Sequence, residues 1–93
     1  MKITPEIMQA EIDQKLPSYY TTGPGRLSTM PGDDTLWFSM CFTYPGSKEK
    51  YVWVSVKEDM TAEEIDKWST DAAIQIKTTQ LIKELEDKAK QRF

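Results

Sequence analysis

Residues 36–56 constrain the fold more than any other part of the chain. They read LWFSMCFTY, then PGSKEK, then YVWVSV. Two runs rich in aromatic and β-branched residues flank a Pro-Gly turn, which is the pattern of a β-hairpin with strands at about 36–44 and 51–57. Alternation sorts the side chains. Leu36, Phe38, Met40, Phe42 and Tyr44 share one face of the first strand; Trp37, Ser39, Cys41 and Thr43 share the other. In the second strand Val52, Val54 and Val56 oppose Tyr51, Trp53, Ser55 and Lys57. Pairing Phe42 with Val52 across a loop at 45–49 unites the phenylalanines and valines on one apolar face. A slip by one residue would place Lys57 in that set, so burial selects the first register.

The second face then carries Trp37, Tyr51 and Trp53. Two arrangements account for it. A helix covers each face of the sheet and the tryptophans are core. Alternatively the face is open, and its amphipathic rings form a contact surface for a partner or ligand.

The rest of the chain supplies the helices. Thr4-Pro5-Glu6 is a helix start: an N-cap, a proline in the first turn and an acid near the positive end of the dipole. Met8, Ile12 and Leu16 recur four apart, and Pro17 stops the element, so a short amphipathic helix spans about 4–16. Thr61 and Glu64 form a capping box, and Met60 with Ile65 a hydrophobic staple. From there a long helix runs over about 61–91. Its start is acidic (Glu63, Glu64, Asp66) and its end basic (Lys88, Lys90, Arg92), as the dipole favours. Glu63-Lys67, Glu84-Lys88 and Glu86-Lys90 are spaced as i,i+4 ion pairs.

Between helix and hairpin lie residues 18–34. SYYTT and RLSTM have weak strand character, and Gly23-Pro24-Gly25 and Pro31-Gly32 are turn signals. The segment adds strands to the sheet or forms a long ordered loop. The fold class is therefore α+β: an N-terminal helix, a small antiparallel sheet of two to four strands, and a long C-terminal helix. At 93 residues the chain makes a single domain, 1–93.

The long helix is apolar on two opposed faces. Ile65, Trp68, Ala72 and Ile76 cluster on one; Ile74, Leu81, Leu85 and Ala89 cluster on the other. One core cannot take both. Either the helix kinks near Thr78 and Thr79, or residues 78–93 extend past the domain and pair with a second chain, most simply as a homodimer.

Several chemistries are excluded. The chain has no histidine, so Ser-His and Cys-His nucleophile pairs do not exist. One cysteine gives neither an internal disulfide nor a thiolate zinc site. Cys41 reads as a small strand residue, and Asp33 and Asp34 after Pro-Gly read as turn residues, not metal ligands. No cofactor motif is present: Gly23-Pro24-Gly25-Arg26 fits neither glycine-rich phosphate loop. A net charge of -3 disfavours nucleic acid. The element order is shared with double-stranded-RNA-binding domains, but residues 61–66 read TAEEID, acidic where such domains need basic side chains. No apolar run is long enough for a membrane span, and the free cysteine suits a reducing, cytoplasmic compartment.

Two function classes lead, ahead of a hydrolase that would use carboxylates alone and for which no motif speaks. The first is a small non-enzymatic protein-binding module, an inhibitor or adaptor that occupies a partner protein's surface. Size and acidity match phage and mobile-element products that block a host enzyme. The second is a small-ligand or nucleotide binder, with Trp37, Trp53, Tyr19 or Tyr20 stacking on a planar group and Arg26 with the Gly23 to Gly25 turn holding an anion.

Overall fold

The computed structural model describes residues 1–91. The order is helix α1 (Pro5–Asp13), strands β1 (Thr21–Thr22), β2 (Arg26–Thr29), β3 (Leu36–Thr43) and β4 (Lys50–Val56), then helix α2 (Ala62–Lys90). This is the α+β architecture expected. β3 is the central strand. It pairs antiparallel with β4 along one side, and with β2 and then β1 along the other. Both runs in residues 18–34 thus become strands, joined by the Gly23-Pro24-Gly25 break.

Two Pro-Gly turns set the hairpins. Asp33 N–H donates to the Met30 carbonyl at 3.0 Å, and Ser47 N–H to that of Tyr44 at 2.9 Å. Gly32 and Gly46 sit at φ +80 and +85. Proline followed by a positive-φ glycine is the type II turn, which a side chain at the glycine would strain. The second turn is one two-residue step deeper in register than expected. Met40, not Phe42, lies opposite Val52, and Phe42 faces Lys50. The step preserves the faces, because the side-chain period is two. Only the loop length changes.

Both helices begin on the caps read from sequence. Thr4 Oγ1 accepts from Ile7 N–H at 3.2 Å. At α2 the box is reciprocal: Glu64 N–H donates to Thr61 Oγ1 at 3.1 Å, and Thr61 N–H to Glu64 Oε1 at 3.0 Å. Met60 and Ile65 are both buried in the core. α1 ends at Asp13, earlier than expected. Its last turn tightens to i→i+3 bonds, Lys15 to Ile12 and Leu16 to Asp13, since a residue before proline is disfavoured in the α region. Leu16 still reaches the core.

The core lies between the Phe38 face of the sheet and the two helices. Met8 and Ile12 of α1 meet Phe38, Met40, Phe42 and Val52 of the sheet and Ile65, Trp68, Ala72 and Ile76 of α2. Trp68 sets its edge on Phe38, centroids 5.3 Å apart at 89°, and its Nε1–H donates to the Ser55 carbonyl at 3.0 Å. Lys15 ties the helices together: its Nζ lies 2.7 Å from Ser69 Oγ and 3.0 Å from Asp66 Oδ1. Residues 1–3 run antiparallel to 58–60, with Ile3 N–H on the Glu58 carbonyl and Met60 N–H on that of Met1. That pairing starts the two helices side by side, so both pack on the same face. A helix on each face is therefore not the arrangement.

One core group is unsatisfied. Tyr44 is buried, and its hydroxyl has no partner among the described residues. Removing an unpaired buried hydroxyl removes its desolvation cost. Tyr44→Phe is expected to raise stability by about 1 kcal/mol, seen as a higher urea midpoint at unchanged slope; a lower midpoint would mean that the hydroxyl is bonded in solution.

α2 is uninterrupted across Thr78 and Thr79, so the kink is not used. Its 29 residues make a rod of about 43 Å. The molecule measures 50 × 31 × 19 Å, with a radius of gyration of 14.8 Å against about 12 Å for a compact chain of this length. The excess is the end of α2. Every described residue from Leu81 onward is exposed. The i,i+4 pairs expected on this helix do not form; Lys83 and Asp87 pair instead at 3.1 Å, and Glu84 accepts from Gln80 Nε2. Among the described residues no helix is long and apolar enough to cross a membrane. Of the proposed extension at 78–93, Arg92 and Phe93 lie outside the described residues.

Candidate functional site

Strand register builds the site. With both helices on one side, the other side of the sheet has no cover among the described residues. Across it, rows of side chains follow from the pairing. Ser28, Trp37 and Ser55 form one row; Arg26, Ser39 and Trp53 form the next; Cys41 and Tyr51 the third. Arg26 on β2 therefore stands across β3 from Trp53 on β4, with the small Ser39 between them. Tyr51 is 64% exposed and Trp53 44%, whereas a tryptophan used as core sits like Trp68 at 9%. Trp37 is half-buried on the same face.

Small side chains in the middle and large ones at the sides make the face concave. A hollow of about 400 Å³ lies between Pro24, Arg26, Cys41, Tyr51 and Trp53. Cys41 forms part of its floor, against Gly23; a Cβ on Gly23 would stand 2.0 Å from Cys41 Sγ. Arg26 makes no ion pair among the described residues. The Tyr51 hydroxyl donates to Glu49 Oε1 at 2.9 Å. That bond and the carboxylate charge push the phenol pKa up, and the Arg26 guanidinium opposes them.

The exposure pattern has a direct optical consequence. Iodide is expected to quench Trp53 strongly and Trp68 hardly at all. Trp53→Phe should therefore remove most of the quenchable emission, and an unchanged quenchable fraction would show that the face is covered in solution.

The turn before Arg26 is built for packing. Gly23 N–H donates to the Cys41 carbonyl at 2.8 Å, and Gly25 N–H to Gln9 Oε1 at 2.8 Å. Pro24 has no N–H, so the turn offers an anion no free amide. Gly25 lies against the core. A methyl there would sit 2.6 Å from Phe38 Cε2 and 3.0 Å from the Pro5 carbonyl oxygen. Gly25→Ala is expected to cost about 1–3 kcal/mol, as overpacking does, read from the urea midpoint; a neutral result would show that Phe38 can shift.

Tyr19 and Tyr20 lie elsewhere, beyond the helical side of the sheet. Both hydroxyls donate to Gln80 Oε1 of α2, Tyr19 at 3.3 Å. The Tyr20 ring packs on Phe42 and Tyr44. Burial, then the neighbouring Tyr19, Tyr44 and Glu84, raise the Tyr20 pKa to about 12. The unfolded chain would lose this proton near pH 10. The folded state holds it longer, so its contribution is intact below about pH 10 and is lost as pH rises towards about 12, by at most about 1.4 kcal/mol per pH unit. Urea midpoints should fall less steeply above about pH 10 in Tyr20→Phe than in the parent; identical slopes would remove Tyr20 as the cause.

On α2, Ile74, Leu81, Leu85 and Ala89 are all exposed, on the side opposite to Ile65, Trp68, Ala72 and Ile76. Leu81 is 58% and Leu85 65% accessible. The structure adds Ile82, also exposed. Its signal in the sequence is its place seven residues before Ala89, two turns along the same stripe. Ser39 and Pro24 are the additions at the sheet; their type gave no sign of a role, and only register places them there. No protein-family model, curated protein or solved structure matches the chain, so the functional reading rests on this geometry.

Proposed function

We propose that the chain is a non-enzymatic protein-binding module, an inhibitor or adaptor, that docks on another protein through the open face of its sheet. The observation that carries this reading is the open face that bears Trp37, Tyr51 and Trp53, with Arg26 on it and unpaired among the described residues. Tyrosine, tryptophan and arginine are the residues enriched at interface centres. Here they stand on strands, so little side-chain entropy is lost on contact. The complementary surface is apolar and carries a carboxylate to meet Arg26. The protein blocks or bridges by occupying that surface, as small acidic phage and mobile-element inhibitors do, and its free cysteine suits the cytoplasm. Partner capture with the wild-type chain, followed by cross-link mapping, tests the reading. Cross-links should fall on the sheet face, and Trp53→Ala and Arg26→Glu should each release the partner. A partner retained by both variants would overturn it.

A second reading has its own observation, the hollow between Arg26, Tyr51 and Trp53. Its volume is within the range of small-molecule sites, and it would take a planar anion such as a nucleotide, stacked on Trp53 with its charge on Arg26. A thermal-shift screen of nucleotides and anionic metabolites separates the two. A stabilised melt that Arg26→Ala abolishes supports the ligand, and a flat screen beside a captured partner supports the module. A homodimer through α2 is compatible with either.

A further inference from the structure

The exposed stripe of α2 has a pattern that identifies its occupant. Asp71, Ile74, Thr78, Leu81, Leu85 and Lys88 are spaced alternately three and four apart, the seam spacing of paired helices. All six are exposed, and the seam faces away from the domain's own core. We infer that a second copy of this chain covers it, running antiparallel, with the two-fold axis passing near Gln80.

The charges choose the direction and the register. In this arrangement Ile74 lies against Leu85 of the second copy, and Thr78 against its Leu81. Asp71 at one end of the seam meets Lys88 of the other chain. Lys77 and Glu84, which flank the seam on one side, meet Glu84 and Lys77 of the second copy. Asp71, Lys77 and Lys88 make no ion pair within the described residues of their own chain. A parallel pair would set Asp71 on Asp71 and Lys88 on Lys88, like on like at the seam. An antiparallel pair shifted one step towards the helix end would bring the two Glu84 side chains together and leave Thr78 on Lys88. Opposite charges meet at both ends of the seam and beside it in the proposed register.

The domain covers α2 on the Ile65, Trp68, Ala72 and Ile76 side, and reaches as far as Gln80 through the Tyr19 and Tyr20 hydroxyls. The second helix lies on the opposite side, and its own domain is carried at the far end. The layers then run sheet, helices, helices, sheet, and the two open sheet faces point away from each other. Where those faces dock on partners, as proposed above, the dimer is bivalent; the pairing of the helices does not depend on that docking.

Sedimentation equilibrium of the full chain over a range of concentrations tests the inference. The wild type should weigh as a dimer, and Leu85→Glu as a monomer with unchanged far-ultraviolet circular dichroism, since Leu85 is 65% exposed in its own chain; its melt should match that of the wild type diluted to the monomer, because association stabilises the folded state by mass action. Lys77→Glu and Glu84→Lys should each weaken the dimer about tenfold by turning two attractions into repulsions. The double swap should restore it. Trp53→Ala should leave the mass unaltered, so failure of the sheet-face reading would not be mistaken for failure of the dimer. A wild type that stays monomeric at every concentration, a dimer indifferent to Leu85→Glu, or a double swap that does not restore association would each overturn the proposal.

Discussion

Trp68→Ala is expected to cost about 3–5 kcal/mol, the range for removing a large aromatic side chain from a packed core. Trp68 is the point where α2 meets the sheet. Its ring is 9% exposed and stands edge-on to Phe38, whose own accessibility is zero. Truncation removes three things at once: the buried area of the indole, the edge-to-face contact and the Nε1–H bond to the Ser55 carbonyl. The cavity has few routes to collapse, because Phe38 is pinned from behind by Gly25. A domain of this length holds about 5–14 kcal/mol in total, so the variant should be close to unfolded at physiological temperature. Urea titration followed by circular dichroism measures it. Trp68→Phe keeps most of the area and loses the bond, and should cost about 1–2 kcal/mol. A cost for Trp68→Ala below about 1 kcal/mol would mean that α2 is not anchored there.

Trp53→Ala should behave in the opposite way. Nearly half of this side chain is already in water, and no core group rests on it, so the urea midpoint should move by less than about 1 kcal/mol. Affinity for the docked protein should fall by about 2 kcal/mol or more, roughly 30-fold, as for an aromatic at an interface centre. Titration calorimetry against the captured partner gives the number. Arg26→Ala should lower affinity too, and should flatten the salt dependence, since the guanidinium is a cation on that face with no ion pair among the described residues. Equal affinity of Trp53→Ala and wild type would remove the sheet face as the binding surface. Trp68 serves the covered side of the sheet and Trp53 the open side, and so the pair of variants separates folding from binding.

That division was half visible in the residues. Alternation in 36–44 and 51–57 assigns Trp37, Tyr51 and Trp53 to one face and the valines to the other, because neighbouring side chains on a strand point apart. It does not say which face a helix will cover. The Phe42 and Val52 pairing failed for a related reason. Sliding a hairpin by two residues leaves every side chain on its face, so the apolar pattern is blind to that step, and the type II turn at Pro45-Gly46 decided it. Arg26 is one of only two arginines in the chain. Its proximity to Trp53 depends on β2 pairing with β3, which the weak strand character of RLST did not specify. Tyr19 and Tyr20 were aromatic and close to Arg26 in sequence, yet Tyr20 turns back on the Pro17 carbonyl and both hydroxyls reach Gln80. Ile82 was missed because a stripe drawn through Leu81 and Leu85 leaves it at the margin.

By itself the sequence determined the local devices: the Thr4 and Thr61 caps, the two Pro-Gly turns, the two-faced hairpin and a helix with more apolar surface than one core can bury. Each depends on interactions within a few residues, so a short window contains the cause. Only the tertiary structure decided which sheet face is open, how far the hairpin is stepped, and that α2 continues unsupported past Gln80. Those outcomes depend on contacts between distant segments, above all residues 1–3 beside 58–60 and Lys15 against Ser69 and Asp66. These draw both helices to one side, and Trp37, Tyr51 and Trp53 are left facing water.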